Sequence, residues 1–226
     1  MKGILYGVGV GPGDPQLMTY KAVEVIKKCK VIAVPKSGDT EQVALRIAKE
    51  HIEDQLIVDC YMPMIRDQEA LDKQHDNVAK EIKHYLDEGM DVAFLTLGDP
   101  SIYSTYIYIH KRILKMGYEA RLIPGVPSIC AVAAKLNDSL CEGGDSLHII
   151  PASYKEDYLK LEGTKVLMKT GHAIKKVKEY LKEEGVYNQA KMVECCGMAT
   201  EKIHHSLDSV SDDGKYFSVI VVKEEK

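Results

Sequence analysis

Two Gly-Asp-Pro turns constrain this chain more than any other feature: Gly13-Asp14-Pro15, which closes the run Gly-Val-Gly-Val-Gly-Pro-Gly-Asp-Pro from Gly7 to Pro15, and Gly98-Asp99-Pro100. Each follows a short apolar run and precedes a stretch of helical periodicity, as a strand-to-helix turn of a parallel α/β sheet does. In the first, the alternate glycines Gly7, Gly9, Gly11 and Gly13 let the backbone pass very close to a neighbour. Asp14 is the expected N-cap with Pro15 as the first helical residue, and Asp99 the expected cap of a helix starting at Pro100. Two such turns in one chain point to one shared ligand crevice. Neither is a nucleotide fingerprint. Counted from Gly7 or Gly9, the third glycine of Gly-x-Gly-x-x-Gly falls on Pro12 or Asp14, and no Gly-Lys-Ser/Thr follows.

Apolar runs at 4–7, 31–34, 56–59, 92–97 and 120–123 alternate with amphipathic stretches, which predicts a mostly parallel five-stranded sheet with flanking helices. Pro124-Gly125-Val126-Pro127 then breaks the rhythm, so the expected domains are 1–124 and 125–226. Beyond the break, a helix over 129–136 and one over 173–184 accompany strand-like runs at 147–150, 165–168, 192–195 and 217–222. Some of these runs lack an intervening helix, which predicts a mixed sheet with antiparallel pairs. The fold class is α/β, with two α/β domains.

The 226 residues suffice for such a core without covalent staples. A net charge of −4 with scattered lysines leaves no basic stripe for nucleic acid. No apolar run approaches a membrane span, so a cytoplasmic enzyme is expected. The six cysteines lack Cys-x-x-Cys spacing and read as reduced thiols, and the eight histidines lack His-x-x-x-His spacing, so no protein-bound metal is expected.

Three segments carry a resemblance: the opening Gly7–Pro15 run, Phe-Leu-Thr-Leu-Gly-Asp-Pro-Ser-Ile-Tyr-Ser-Thr-Tyr from Phe94 to Tyr106, and Ile-Pro-Gly-Val-Pro-Ser from Ile123 to Ser128. In these the chain resembles the tetrapyrrole methylase family, along its whole length. The Leu95 to Tyr106 wording and Tyr61-Met62-Pro63-Met64 are most similar to the branch acting at C-20 of cobalt-factor II or metal-free precorrin-2. The resemblance implies a homodimer of two-domain subunits, with S-adenosylmethionine as methyl donor folded in the cleft between domains. It also implies donor contacts at Pro12, Gly98, Asp99, Pro100, Ile102, Ser128, Ile129, Met168 and a main-chain contact at Cys196. Asp99 can face the donor's amine or ribose, or serve only as a cap.

Methyl transfer from a sulfonium to an enamine-like ring carbon asks mainly for positioning. Asp99 and Tyr106, with Tyr103, are the candidates for any proton removal. For the acceptor, Met64 is a candidate for an apolar ring pocket, and Arg66, with Lys36 and Lys111, for its carboxylates. Compact length and several free thiols favour the cobalt-containing acceptor. Other readings are the metal-free acceptor, a protein or ribose methylase of the same superfamily, a non-catalytic S-adenosylmethionine sensor, and a Rossmann dehydrogenase.

Overall fold

Alternation along the first strand decides the layering of the N-terminal half. Leu5 points to one side of the sheet and Tyr6, Val8 and Val10 to the other, so both sides must be covered. The computed structural model describes residues 1–38, 42–65, 67–152 and 157–224. The chain separates into two compact units, Met1–Pro127 and Ser128–Lys226.

The first unit runs β1 (Leu5–Gly9), α1 (Tyr20–Lys28), β2 (Val31–Lys36), α2 (Val43–Ala48), β3 (Leu56–Tyr61), α3 (Gln68–Asp87), β4 (Val92–Thr96), α4 (Tyr106–Lys115) and β5 (Ala120–Ile123). The five strands form one sheet in the order β3-β2-β4-β1-β5, with every neighbouring pair parallel. α1 and α2 bury Ala22, Val25, Ile26, Ala44 and Ile47 against Val8, Ile32 and Leu95 on one face. α3 and α4 bury Val78, Ile82, Leu86, Ile109 and Ile113 against Leu5, Val31 and Phe94 on the other. Each fully buried aliphatic side chain contributes roughly 1.5–3 kcal/mol.

This layering has a consequence for function. β1 and β4 are neighbours, yet the chain leaves β1 for the α1 face and β4 for the α4 face. The connections reverse there, and open parallel sheets hold their ligands outside the strands' carboxyl ends at such a switch point.

The second unit contains α5 (Ser128–Leu136), β6 (Leu147–Pro151), β7 (Thr164–Met168), α6 (Ile174–Glu183), β8 (Ala190–Glu194), β9 (Lys202–His204) and β10 (Ser218–Val222). Its sheet order is β6-β7-β10-β8-β9, with β6 and β7 parallel and the remaining pairs antiparallel. The sheet is mixed, as the missing crossover helices required. α6 packs Ile174, Val177 and Leu181 on one face against Leu167, Met192 and Ile220.

Local starts differ from expectation in two places. Asp14 caps only a short 3-10 turn, Pro15–Leu17, by accepting from Gln16 N at 2.9 Å. α1 starts later, where Thr19 Oγ1 accepts from Ala22 N at 3.1 Å. Likewise α4 begins at Tyr106 and not at Pro100, because the Asp99 carboxylate is committed to a turn and to another loop. α2 and β9 have no counterpart in the sequence reading.

Candidate functional site

Three loops meet at the carboxyl ends of β1, β4 and β5, and main-chain contacts hold them together. Val10 N donates to Thr96 O at 2.9 Å, and beyond it Gly11 and Gly98 form an isolated antiparallel bridge, with N to O distances of 2.8 and 3.3 Å. The third loop joins through a side chain: Gly125 N donates to Asp99 Oδ2 at 2.9 Å. The other oxygen, Oδ1, accepts from Ser101 N at 2.8 Å and Ser101 Oγ at 2.5 Å. Thr19 ties in the start of α1 by donating from Oγ1 to Pro124 O at 3.2 Å.

Glycine is required here by distance. A Cβ on Gly125 would lie 2.2 Å from Gly98 O, and one on Gly9 would lie 2.6 Å from that oxygen and 2.7 Å from Gly125 N. The close neighbour implied by the alternate glycines is therefore, at Gly9, the backbone of the two adjoining loops. Gly7 serves another purpose, since its missing side chain leaves the space taken by the Tyr106 ring.

That contact places the Tyr106 ring in the core. The side chain is wholly buried, its ring packs on Phe94 at 5.3 Å between centroids, and its hydroxyl hydrogen-bonds His110 Nδ1 at 3.0 Å. Burial pushes its phenol above the usual range. Tyr103 is exposed, with a left-handed φ of 50°. Asp99, the other candidate, joins two loops. Pro12, Gly98 and Pro100 are buried within the cluster, and Ile102 is half-buried at its edge.

Towards the sheet edge, Tyr61, Met64 and Ile65 expose an apolar patch at the end of β3. Arg66 lies outside the described residues. Lys36 ion-pairs with Asp59 at 2.8 Å, and that contact, with a second from Gln42, holds the Asp59 carboxyl below its ordinary range.

In the second unit, Ser128 and Ile129 open α5, Ile129 buried and Ser128 half-buried, and Met168 ends β7 half-buried. Lys169 follows Met168 with φ 57°, and Cys195 precedes the buried Cys196 with φ 49°. Non-glycine residues in the left-handed region carry strain that the surroundings must hold, and such residues gather at ligand sites. Sequence reasoning missed this strain, because nothing in Lys169 or Cys195 announces a positive φ. Among the described residues no group of three or more His, Cys, Asp or Glu side chains is placed to hold a metal ion.

Fold and loops together define an α/β protein of two units, whose glycine-packed loops crowd the switch point of a parallel sheet. Residues 4–209 match the defining pattern of the tetrapyrrole (corrin/porphyrin) methylases, and the chain belongs to that family. It is 40% identical to a probable cobalt-precorrin-2 C(20)-methyltransferase of Methanocaldococcus jannaschii, over 74% of this chain and 72% of that one. With the cobalt-precorrin-2 C(20)-methyltransferase of Salmonella typhimurium the identity is 30% over 100% of this chain and 98% of the relative. With a precorrin-2 C(20)-methyltransferase of Sinorhizobium it is 29%, over 97% and 95%. Among solved structures, a cobalt precorrin-4 methyltransferase superposes with a TM-score of 0.78 at 19% identity, covering 97% of this chain and 94% of that one. A Thermus thermophilus uroporphyrin-III C-methyltransferase in complex with S-adenosylhomocysteine gives 0.70 at 19% identity, covering 98% of each chain.

Proposed function

We propose that this chain transfers the methyl group of S-adenosylmethionine to C-20 of cobalt-precorrin-2 in cobalamin biosynthesis. The observation that carries this reading is its identity to two relatives named for that reaction, one of them along nearly the whole of both chains. The residues present fit the donor: buried Pro12, half-buried Ile102 and the Gly98 to Pro100 main chain in the first unit, and Ser128, Ile129, Met168 and the Cys196 main chain in the second. Small apolar side chains beside backbone donors and acceptors suit an adenine and a methionyl group. The reactive sulfonium is supplied by the donor itself.

The protein's own contribution is orientation. Aligning donor and acceptor can supply roughly 7–11 kcal/mol of a barrier, more than any base in this site is placed to give. Asp99 takes part by fixing the second loop against the third, so that the Gly98 to Ile102 main chain is presented in one conformation. Met64, with exposed Tyr61 and Ile65, offers the apolar surface for the ring, and Arg66 a charge for its carboxylates. The working form we propose is a cytoplasmic homodimer with no nucleic-acid or membrane partner.

Anaerobic turnover with labelled S-adenosylmethionine, run in parallel on cobalt-precorrin-2 and precorrin-2, tests this. Label at C-20 of the cobalt form, located by mass spectrometry and NMR, is the expected result. Preference for the metal-free ring would move the acceptor, and transfer to neither would end the C-20 reading.

A further inference from the structure

Cys196 sits in a sharp turn after β8. Cys195 is left-handed and Gly197 has φ 75°, so the chain reverses sharply after β8. Main-chain bonds close the turn: Cys195 N donates to Phe217 O at 2.7 Å, Met198 N to Cys195 O at 2.9 Å and Glu201 N to Met198 O at 3.0 Å. One carboxylate adds side-chain contacts to these bonds. Glu201 Oε2 accepts from Gly197 N at 2.6 Å, while Oε1 ion-pairs with Lys135 of α5 at 2.9 Å. Only 20% of the Glu201 side chain is exposed.

These contacts reach two places at once. α5 carries Ser128 and Ile129 at its start, and Lys135 sits in its last turn. Through Glu201, that helix is linked to the N–H of the Cys196–Gly197 peptide. We propose that Glu201 is a positioning residue for the methyl donor, holding the Cys196 main chain and α5 in the arrangement that binds it. This rests on the reading that Cys196, Ser128 and Ile129 contact the donor. Glu201 itself does not touch the reacting atoms. A carboxylate suits the role because its two oxygens accept from an amide and an ammonium group together, and charge-assisted bonds to it are short and strong. Lys135 and Glu201 are 66 residues apart in sequence, with no spacing signal to connect them.

The test is titration of S-adenosylhomocysteine by calorimetry, with steady-state kinetics, on the full chain and on Glu201→Ala and Glu201→Gln. Glu201→Ala is expected to weaken binding and raise the donor KM by about 10- to 100-fold, leaving kcat and the acceptor KM near wild type. Glu201→Gln keeps an acceptor for Gly197 N–H but loses the Lys135 ion pair, so a smaller rise of about 3- to 10-fold is expected. If Glu201→Ala does not fold, the Gln variant decides. Unchanged donor affinity in a folded variant overturns the positioning role while leaving the donor site standing. Failure of the wild-type chain itself to bind S-adenosylhomocysteine overturns the donor-site reading, and this role with it.

Discussion

At Gly125 a single added carbon meets the Gly98 carbonyl at 2.2 Å, with backbone on both sides and nowhere to move. An ordinary Gly→Ala exchange stabilises by about 0.4–1 kcal/mol through the unfolded state. Gly125→Ala is expected to do the reverse, losing about 1–3 kcal/mol in urea unfolding and at least about tenfold in donor affinity. A variant as stable as wild type with unchanged affinity would show that the three loops are not packed as described. Tyr106→Phe separates packing from chemistry. It keeps the ring over Gly7 and loses the bond to His110, so the expected cost is about 1 kcal/mol of stability with kcat unchanged. A collapse of kcat at intact stability would mark Tyr106 as a base. The glycine spacing was legible in the sequence as a demand for closeness. What lay close was not, because Gly98, Gly9 and Gly125 are brought together only by the pairing of β1 with β4 and β5.

At the scale of elements, the end of α5 shows how one side chain can order a segment. Lys223, just past β10, donates from Nζ to Asp138 Oδ1 at 2.9 Å and to Ser139 O and Oγ at 2.8 Å each, with Glu142 at 3.3 Å. These contacts border a cavity of about 450 Å³, floored by Ala133, Leu136 and Val221. Lys223→Met should therefore raise amide hydrogen exchange over 137–145 while leaving β10 protected; unchanged exchange would dismiss the clamp. The hydrogen bond from Lys223 holds the Asp138 carboxyl below its ordinary value, and the Lys223 ammonium is in turn raised. The contribution of Asp138 is thus present above its unfolded pKa of 3.8 and lost as pH falls through the lower folded value. That of Lys223 is present below 10.5 and lost as pH rises past its raised folded value. Protection of 137–145 should follow both limits. Elements with strong periodicity, such as α3 and α6, and the β-branched strands were readable from pattern alone. The short α2 and β9 were not, since six and three residues carry too little periodicity to stand out. The start of α4 was misplaced because Asp99 resembled a cap, while its carboxylate served a residue 26 positions away.

For the molecule as a whole, the thiols report on the integrity of both units. Cys130 and Cys141 are exposed, whereas Cys29, Cys60, Cys195 and Cys196 are buried. Burial pushes Cys29 and Cys60 up to about 12 and Cys196 up to about 11, far from the thiolate that alkylating reagents attack. Intact-mass measurement after iodoacetamide at pH 8 should show two modified cysteines per chain, at positions 130 and 141. Rapid modification of Cys196 would mean that the turn held by Glu201 opens readily. The mixed character of the second sheet was readable from where crossover helices stop, and the family from three loop segments. The strained main chain at Lys169 and Cys195 was not readable, being imposed by tertiary contacts and not by residue type. The first measurement to make on the proposed donor contacts is a crystal structure of the protein with S-adenosylhomocysteine. The ligand is expected against Pro12, the Gly98 to Ile102 main chain, Ser128, Ile129, Met168 and the Cys196 main chain. A ligand bound elsewhere, leaving these residues untouched, would contradict that placement.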